Sequence, residues 1–145
     1  MLHEKERKAT TVTGSIPGVT APTITYKKGN ETLTAAPADA GDYTASITLG
    51  EGENAKTASV EYSIEKATPT AENFSFTAPT DLIYNGKAKT AAIVPNTGIT
   101  GMGDVSVKYG RDGREVQNPT NAGTYTVKIA VIEGTNYATA SELTA

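Results

Sequence analysis

The stretch TNAGTYTVKIAV, residues 120–131, decides the fold of this chain. After a turn-forming Asn-Ala-Gly segment, it alternates apolar and polar residues, and the apolar ones are Tyr125, Val127, Ile129 and Val131. A period of two residues is that of an extended strand with one apolar face, whereas a helix repeats every 3.6 residues. The stretch therefore predicts a turn that leads into a β-strand packed on a core.

The same pattern occurs earlier, as ADAGDYTASITL at residues 38–49, so that Tyr125 lies 82 residues after Tyr43. The match extends on both sides of these motifs at offsets of 80 to 83 residues. It pairs Tyr26 with Tyr109, Pro37 with Pro119, and Lys8 with Lys89. Two copies of one module are the simplest explanation. We therefore predict two domains, residues 1–66 and 67–145.

Each copy contains several other short stretches with the two-residue period. Residues 28–30 and 110–113 carry the Gly, Asn and Asp signals that are typical of β-hairpin turns. No stretch has the periodicity of an amphipathic helix. Strands with one apolar face bury it by stacking as two sheets, so the sequence predicts an all-β protein.

Both repeated motifs place a tyrosine at the start of a strand, two residues after a glycine. Such a tyrosine can bury its ring and return its hydroxyl to nearby backbone, which is the tyrosine corner of immunoglobulin-type folds. We assign this structural role to Tyr43 and Tyr125, with Gly41 and Gly123 supplying the turn geometry. The chain has no cysteine, so apolar packing would replace the disulfide of antibody domains. The predicted fold is two tandem immunoglobulin-like β-sandwich domains.

These motifs resemble the bacterial immunoglobulin-like repeats of the MBG type. Residues 119–127 and 134–137 are similar to the closing signature of that family, and residues 84–87 to its early strand. The first copy departs from the pattern at His3 and Ala55. The resemblance implies a non-enzymatic spacer or adhesion module of a secreted or cell-surface protein, beside other repeats of the same protein. Its localisation would be the bacterial surface or the extracellular space, with signal and anchor outside these residues.

The composition supplies few groups for catalysis. His3 is the only histidine and there is no cysteine, so His-based triads and thiolate metal sites lack their parts. The net charge is -3 and no basic face is concentrated, which argues against a nucleic-acid partner. No apolar run approaches the roughly 20 residues of a membrane span. We expect no catalytic, cofactor-binding or metal site, no nucleic-acid partner and no membrane insertion in these residues.

A polar and aromatic edge gives the alternative function. Sugar rings stack on exposed aromatic faces, and Tyr84 with Asn85, and Tyr137 with Asn136, combine an aromatic ring with an amide. The alternative is therefore an accessory carbohydrate-binding module of a larger secreted enzyme. For either function, a host or cell-surface protein or glycan is a candidate partner. Packing of the two tyrosines in the core or at its rim is the competing interpretation.

The two copies differ at their beginnings. Residues 69–77 of the second copy contain Phe74 and Phe76 and have no counterpart in the first, which starts at Met1. We expect the first domain to lack its leading strand and to have an unpaired sheet edge. Unpaired edges recruit strands from other chains, so the sequence suggests a strand-exchanged dimer through the open edge of the first repeat.

Overall fold

A computed structural model describes Thr10, residues 22–50 and residues 52–145. Apart from short 3-10 turns at Gly52–Asn54 and Ala71–Asn73, the regular structure of these residues is β, which confirms the predicted all-β class. They include no helix with the length and hydropathy needed to cross a membrane. The strands are β1 (Thr25–Lys28), β2 (Glu31–Leu33), β3 (Gly41–Leu49), β4 (Lys56–Ile64), β5 (Phe74–Thr77), β6 (Ala92–Pro95), β7 (Val105–Arg111), β8 (Arg114–Val116), β9 (Thr126–Val131) and β10 (Ala140–Thr144).

The chain divides into two compact units, and the first contains the described residues up to Glu65. Its strands form one antiparallel sheet in the order β2-β1-β3-β4. Tyr26 on β1 lies opposite Ala45 on β3, and both side chains are buried, as is Tyr43. The predictions about His3 and a missing leading strand fall on residues 1–21, which lie outside the described part of this unit except for Thr10.

The second unit contains residues 66–145. It has a four-stranded antiparallel sheet in the order β10-β9-β7-β8 and a two-stranded antiparallel sheet of β5 and β6. Phe74 of β5 forms the buried cluster with Ile129 and Val131 of β9, and Ile93 of β6 packs against it. The apolar phase of the opening stretch, residues 120–131, thus faces a second layer, as the alternation predicts.

The residues that follow β4 are tied to the second unit. The N–H of Ala67 donates to the carbonyl of Asn136 at 2.9 Å, and the N–H of Ala138 donates to the carbonyl of Ala67 at 2.9 Å. Lys66 Nζ lies 2.7 Å from Glu133 Oε1, and this contact lowers the pKa of that carboxyl. The backbone bonds and the ion pair place the second unit's first residues at Lys66 and Ala67.

Candidate functional site

The first repeated motif forms a closed turn around a buried tyrosine. Tyr43 is 5% exposed, and its hydroxyl donates to the carbonyl of Asp39 at 2.8 Å. Gly41 has a φ of 151°, which residues with a side chain rarely adopt. The Tyr43 ring centroid lies 6.0 Å from that of Tyr62 on β4. The turn at Gly41, the hydrogen bond of the Tyr43 hydroxyl and the contact of its ring with Tyr62 therefore fix the beginning of β3 against β4.

The second motif repeats this geometry. The Tyr125 hydroxyl donates to the carbonyl of Asn121 at 2.6 Å, and Gly123 has a φ of 156°. As in the first unit, the carbonyl belongs to the residue four positions upstream. Tyr125 is half-buried, whereas Tyr43 is buried. The hydrogen bonds have the form that a tyrosine corner requires, and its contribution to stability remains a prediction.

A cation accompanies each of these tyrosines, which the sequence reasoning missed. Lys28 Nζ lies 5.8 Å from the centroid of the Tyr43 ring, and Arg111 Cζ lies 5.7 Å from that of Tyr125. Both cations are the last residues of the strands that open a hairpin, β1 and β7. Each follows the tyrosine shared by the repeats, Tyr26 or Tyr109, by two positions. That repeated spacing was the available signal for a cation held over an aromatic face.

A second pair of tyrosines binds distant backbone. Tyr26 and Tyr109 are each 8% exposed. The Tyr26 hydroxyl accepts the N–H of Thr10 at 2.9 Å, and the Tyr109 hydroxyl accepts the N–H of Ala91 at 2.8 Å. Thr10 and Ala91 are themselves 81 residues apart, within the offset of the repeat. Each unit therefore carries the same set of two hydrogen-bonded tyrosines and one cation.

The Tyr84 region is a loop organised by one carboxylate. Asp81 Oδ1 accepts the N–H of Ile83 at 3.2 Å, while Oδ2 accepts Asn85 Nδ2 at 2.8 Å and Lys89 Nζ at 3.0 Å. Asn85 Oδ1 in turn accepts the N–H of Lys87 at 3.0 Å. These four bonds fix residues 81–89, which we call the Asp81 loop.

The Asp81 loop presents large apolar side chains to solvent. Leu82 is 73% exposed, Ile83 80% and Tyr84 62%. Single exposed apolar residues are common on protein surfaces, but a contiguous group on an ordered loop is typical of a contact surface. The sequence left Tyr84 open between a ligand edge and packing in the core or at its rim, and it did not predict the exposed Leu82 and Ile83.

Asn136 and Tyr137 are held in other contacts. Asn136 Nδ2 donates to the carbonyl of Thr100 at 3.3 Å, and its backbone N–H donates to the carbonyl of Gly101 at 2.8 Å. Tyr137 is half-buried and forms an isolated parallel bridge with Ala67. These hydrogen bonds of Asn136 therefore stabilise a different loop from the one that the hydrogen bonds of Asn85 stabilise. A ligand edge that joins both pairs remains a hypothesis.

The Asp81 loop gives a pH prediction. The hydrogen bond from Lys89, followed by that from the N–H of Ile83, lowers the pKa of Asp81. A carboxyl whose pKa is lower in the folded state stabilises that state above its unfolded pKa, and this contribution disappears as the pH falls through the folded pKa. We expect NMR titration of the Asp81 carboxyl to give a midpoint below its ordinary value.

Replacing Lys89 by Met removes the largest cause of this shift, so the midpoint of Asp81 should rise. Lys87→Met is the matched control, because it removes the same charge from the same loop while Lys87 contributes its backbone N–H. An unchanged midpoint in Lys89→Met, or an equal rise in both variants, would contradict this account of the loop.

Comparison with known proteins adds one match. Residues 77–144 match the family model described as MBG domain. A search of curated proteins finds no match, and a search of solved structures also finds none. Within the described residues, no group of three or more His, Cys, Asp or Glu side chains has the arrangement of a metal site. The matched range includes the three motifs that carry the resemblance, so the match confirms the resemblance of residues 77–144 to the MBG-type repeat.

Proposed function

We propose that this chain is a non-enzymatic spacer or adhesion module of a bacterial cell-surface or secreted multidomain protein. Its two units would be tandem immunoglobulin-like β-sandwiches. The MBG match of residues 77–144 supports a surface-associated repeat module. The two-layered core of the second unit supports the sandwich architecture for that copy.

The observation that carries the proposal is the repeated tyrosine and cation set. In both units a tyrosine hydroxyl binds the carbonyl four residues upstream, under a cation from the preceding hairpin. A second tyrosine hydroxyl binds the backbone of a distant segment. These polar aromatic groups hold their own unit together. Each copy repeats the same set of stabilising contacts. This favours a chain in which each unit folds stably within a series of similar units, as a spacer requires.

The Asp81 loop is the surface at which an adhesive contact would form. Its apolar side chains at positions 82–84 are exposed, and four hydrogen bonds order the loop around them. An ordered loop binds with a smaller loss of conformational entropy than a mobile one. This surface allows the adhesive part of the proposal to be tested separately from the spacer part.

The test compares non-adherent bacterial cells that display the chain with cells that display its variants. We expect the chain to increase attachment between cells or to protein-coated surfaces, and Ile83→Ser to return attachment towards background. Ile132→Ser is the matched control, because Ile132 is 63% exposed and lies outside the loop. Equal attachment with Ile83→Ser and without it would show that the loop is not adhesive. The spacer part fails if an unrelated two-domain insert of equal length does not replace the chain in its host protein.

Carbohydrate binding is the second candidate, and the 62% exposure of the Tyr84 ring beside Asn85 favours it. A glycan array probed with the labelled chain tests it. A reproducible sugar signal that Tyr84→Ala abolishes and Ile83→Ala preserves would support a stacking site, since only the first variant removes an aromatic face. The absence of any reproducible signal would contradict this candidate.

A further inference from the structure

Strand β4 is a long sheet edge. Its nine residues, Lys56–Ile64, pair with β3 along their whole length, from Gly41 opposite Ile64 to Leu49 opposite Lys56. In the described residues, no strand pairs with the other side of β4. In an antiparallel ladder every second residue of an edge strand turns its N–H and C=O outward, where a further strand can bind them.

The other sheet edges in the described residues are short or irregular. β2 and β8 have three residues each, β5 and β6 have four each, and β6 ends at Pro95. β10 is the counterpart of β4 in the second unit, but it has five residues, a register shift, and Glu142 at a φ of 63°. Short length, proline, bulges and charged side chains are among the devices that prevent edge pairing. β4 has none of the first three, and its charges are Lys56 at one end and Glu61 near the middle, so it is the edge best able to accept a strand.

The buried face of the first sheet reaches this edge. Val60 of β4 lies opposite Ala45, which is 3% exposed, and the neighbouring Tyr62 lies opposite the buried Tyr43. Val60 itself is 51% exposed. A strand added beside β4 would continue the apolar face and cover Val60, which gives a hydrophobic contribution in addition to the backbone hydrogen bonds.

We propose that β4 pairs antiparallel with β4 of a second copy of this chain, about a two-fold axis through Val60. This register pairs all nine residues of each strand. It sets Val60 opposite Val60 of the partner subunit, and Ala58 opposite Tyr62 of the partner subunit. On the polar face it sets Ser59 opposite Glu61 of the partner subunit. An interface of this kind is isologous, because the same surface is used by both copies.

The sequence of β4 selects both this partner and this register. Centring the strands on Glu61 instead would set two like charges directly opposite each other, which destabilises a strand pair. Centring them on Ser59 would set Lys56 opposite Tyr62 of the partner subunit and leave the last two residues of each strand unpaired. Only the Val60 register pairs all nine residues of each strand, and it brings the two Val60 residues and the Ala58–Tyr62 pairs together at the centre, with Lys56 opposite Ile64 of the partner subunit at the two ends. The centre of the strand is therefore complementary to itself, which favours a second copy as the occupant.

Sedimentation equilibrium of the full chain over a wide concentration range tests the proposal. We expect reversible dimerisation, and a dissociation constant at least about tenfold weaker for Val60→Lys, since two lysines would meet on the axis. Val94→Lys is the matched control, because Val94 is 57% exposed on β6, and its dimerisation should equal that of the unchanged chain. A far-ultraviolet dichroism spectrum establishes that Val60→Lys remains folded.

The register has its own test. Ser59→Lys would face Glu61 of the partner subunit twice per dimer and should tighten dimerisation by about fivefold, whereas Ser59→Glu should weaken it by a similar factor. Opposite effects of the two substitutions support the Val60 register. A chain that remains monomeric at about millimolar concentration, a range in which weak dimers form, overturns the proposal. So does a dimer that Val60→Lys leaves intact, or one on which both Ser59 variants act alike.

Discussion

Ile129→Ala is expected to lower the free energy of unfolding of the second unit by about 3 to 4 kcal/mol. Ile129 is 2% exposed and lies in the cluster with Phe74 and Val131, between the two sheets. Truncation removes buried methyl and methylene groups and leaves a cavity that the surrounding strands fill only in part. A unit of about 80 residues has a total stability of the order of 5 to 10 kcal/mol, so this loss is a large fraction of it.

Ile132→Ala is the control for this prediction. It makes the same chemical change three residues later, but Ile132 is 63% exposed, and we expect a loss below about 0.5 kcal/mol. Urea denaturation followed by NMR signals from β7 and β9 measures both variants. Similar losses in the two would mean that the apolar phase of the opening stretch does not face the core.

The parts of the fold that were predictable from sequence are those encoded by neighbouring residues. Alternation along residues 125–131 identified the strand and its buried phase. The hairpin signals predicted the turns of β1 with β2 and of β7 with β8, and Asp112 and Gly113 have the positive φ values that such a turn uses. Periodicity and turn residues act over a few positions, so one chain is sufficient to detect them.

The contacts that were missed join residues distant in the chain. The Tyr109 hydroxyl binds the backbone of Ala91, 18 positions away, and the cation at Arg111 lies over the ring of Tyr125, just before β9. The Asp81 loop has no alternation, and its counterpart in the first copy matches it only loosely before Lys8, so the sequence did not reveal its exposed apolar residues. The periodicity of a strand shows on which face of the sheet a side chain lies, but it does not show which loops meet at the end of the sheet. Asn85 and Asn136 were therefore grouped by chemistry alone.

Tyr43→Ala is the second large effect, with an expected loss of about 3 to 5 kcal/mol from the stability of the first unit. The ring is 5% exposed, packs against Tyr62, and lies under the Lys28 ammonium. Alanine removes these contacts and leaves a cavity at the start of β3. Hydrogen exchange of the amides in β3 and β4 measures the result, and we expect their protection to fall by several orders of magnitude.

Two further variants separate the ring from its hydroxyl. Tyr43→Phe removes only the 2.8 Å bond to the Asp39 carbonyl, and we expect a loss of about 1 kcal/mol. Tyr125→Ala removes the same motif residue where it is half-buried, so its loss should be smaller than that of Tyr43→Ala. If the hydrogen bond were dominant, Tyr43→Phe would cost nearly as much as Tyr43→Ala, and the two alanine variants would be alike. If the losses of stability follow the expected order, burial of the ring is the main stabilising contribution of the repeated tyrosine. The hydroxyl then serves mainly to fix the geometry of the turn.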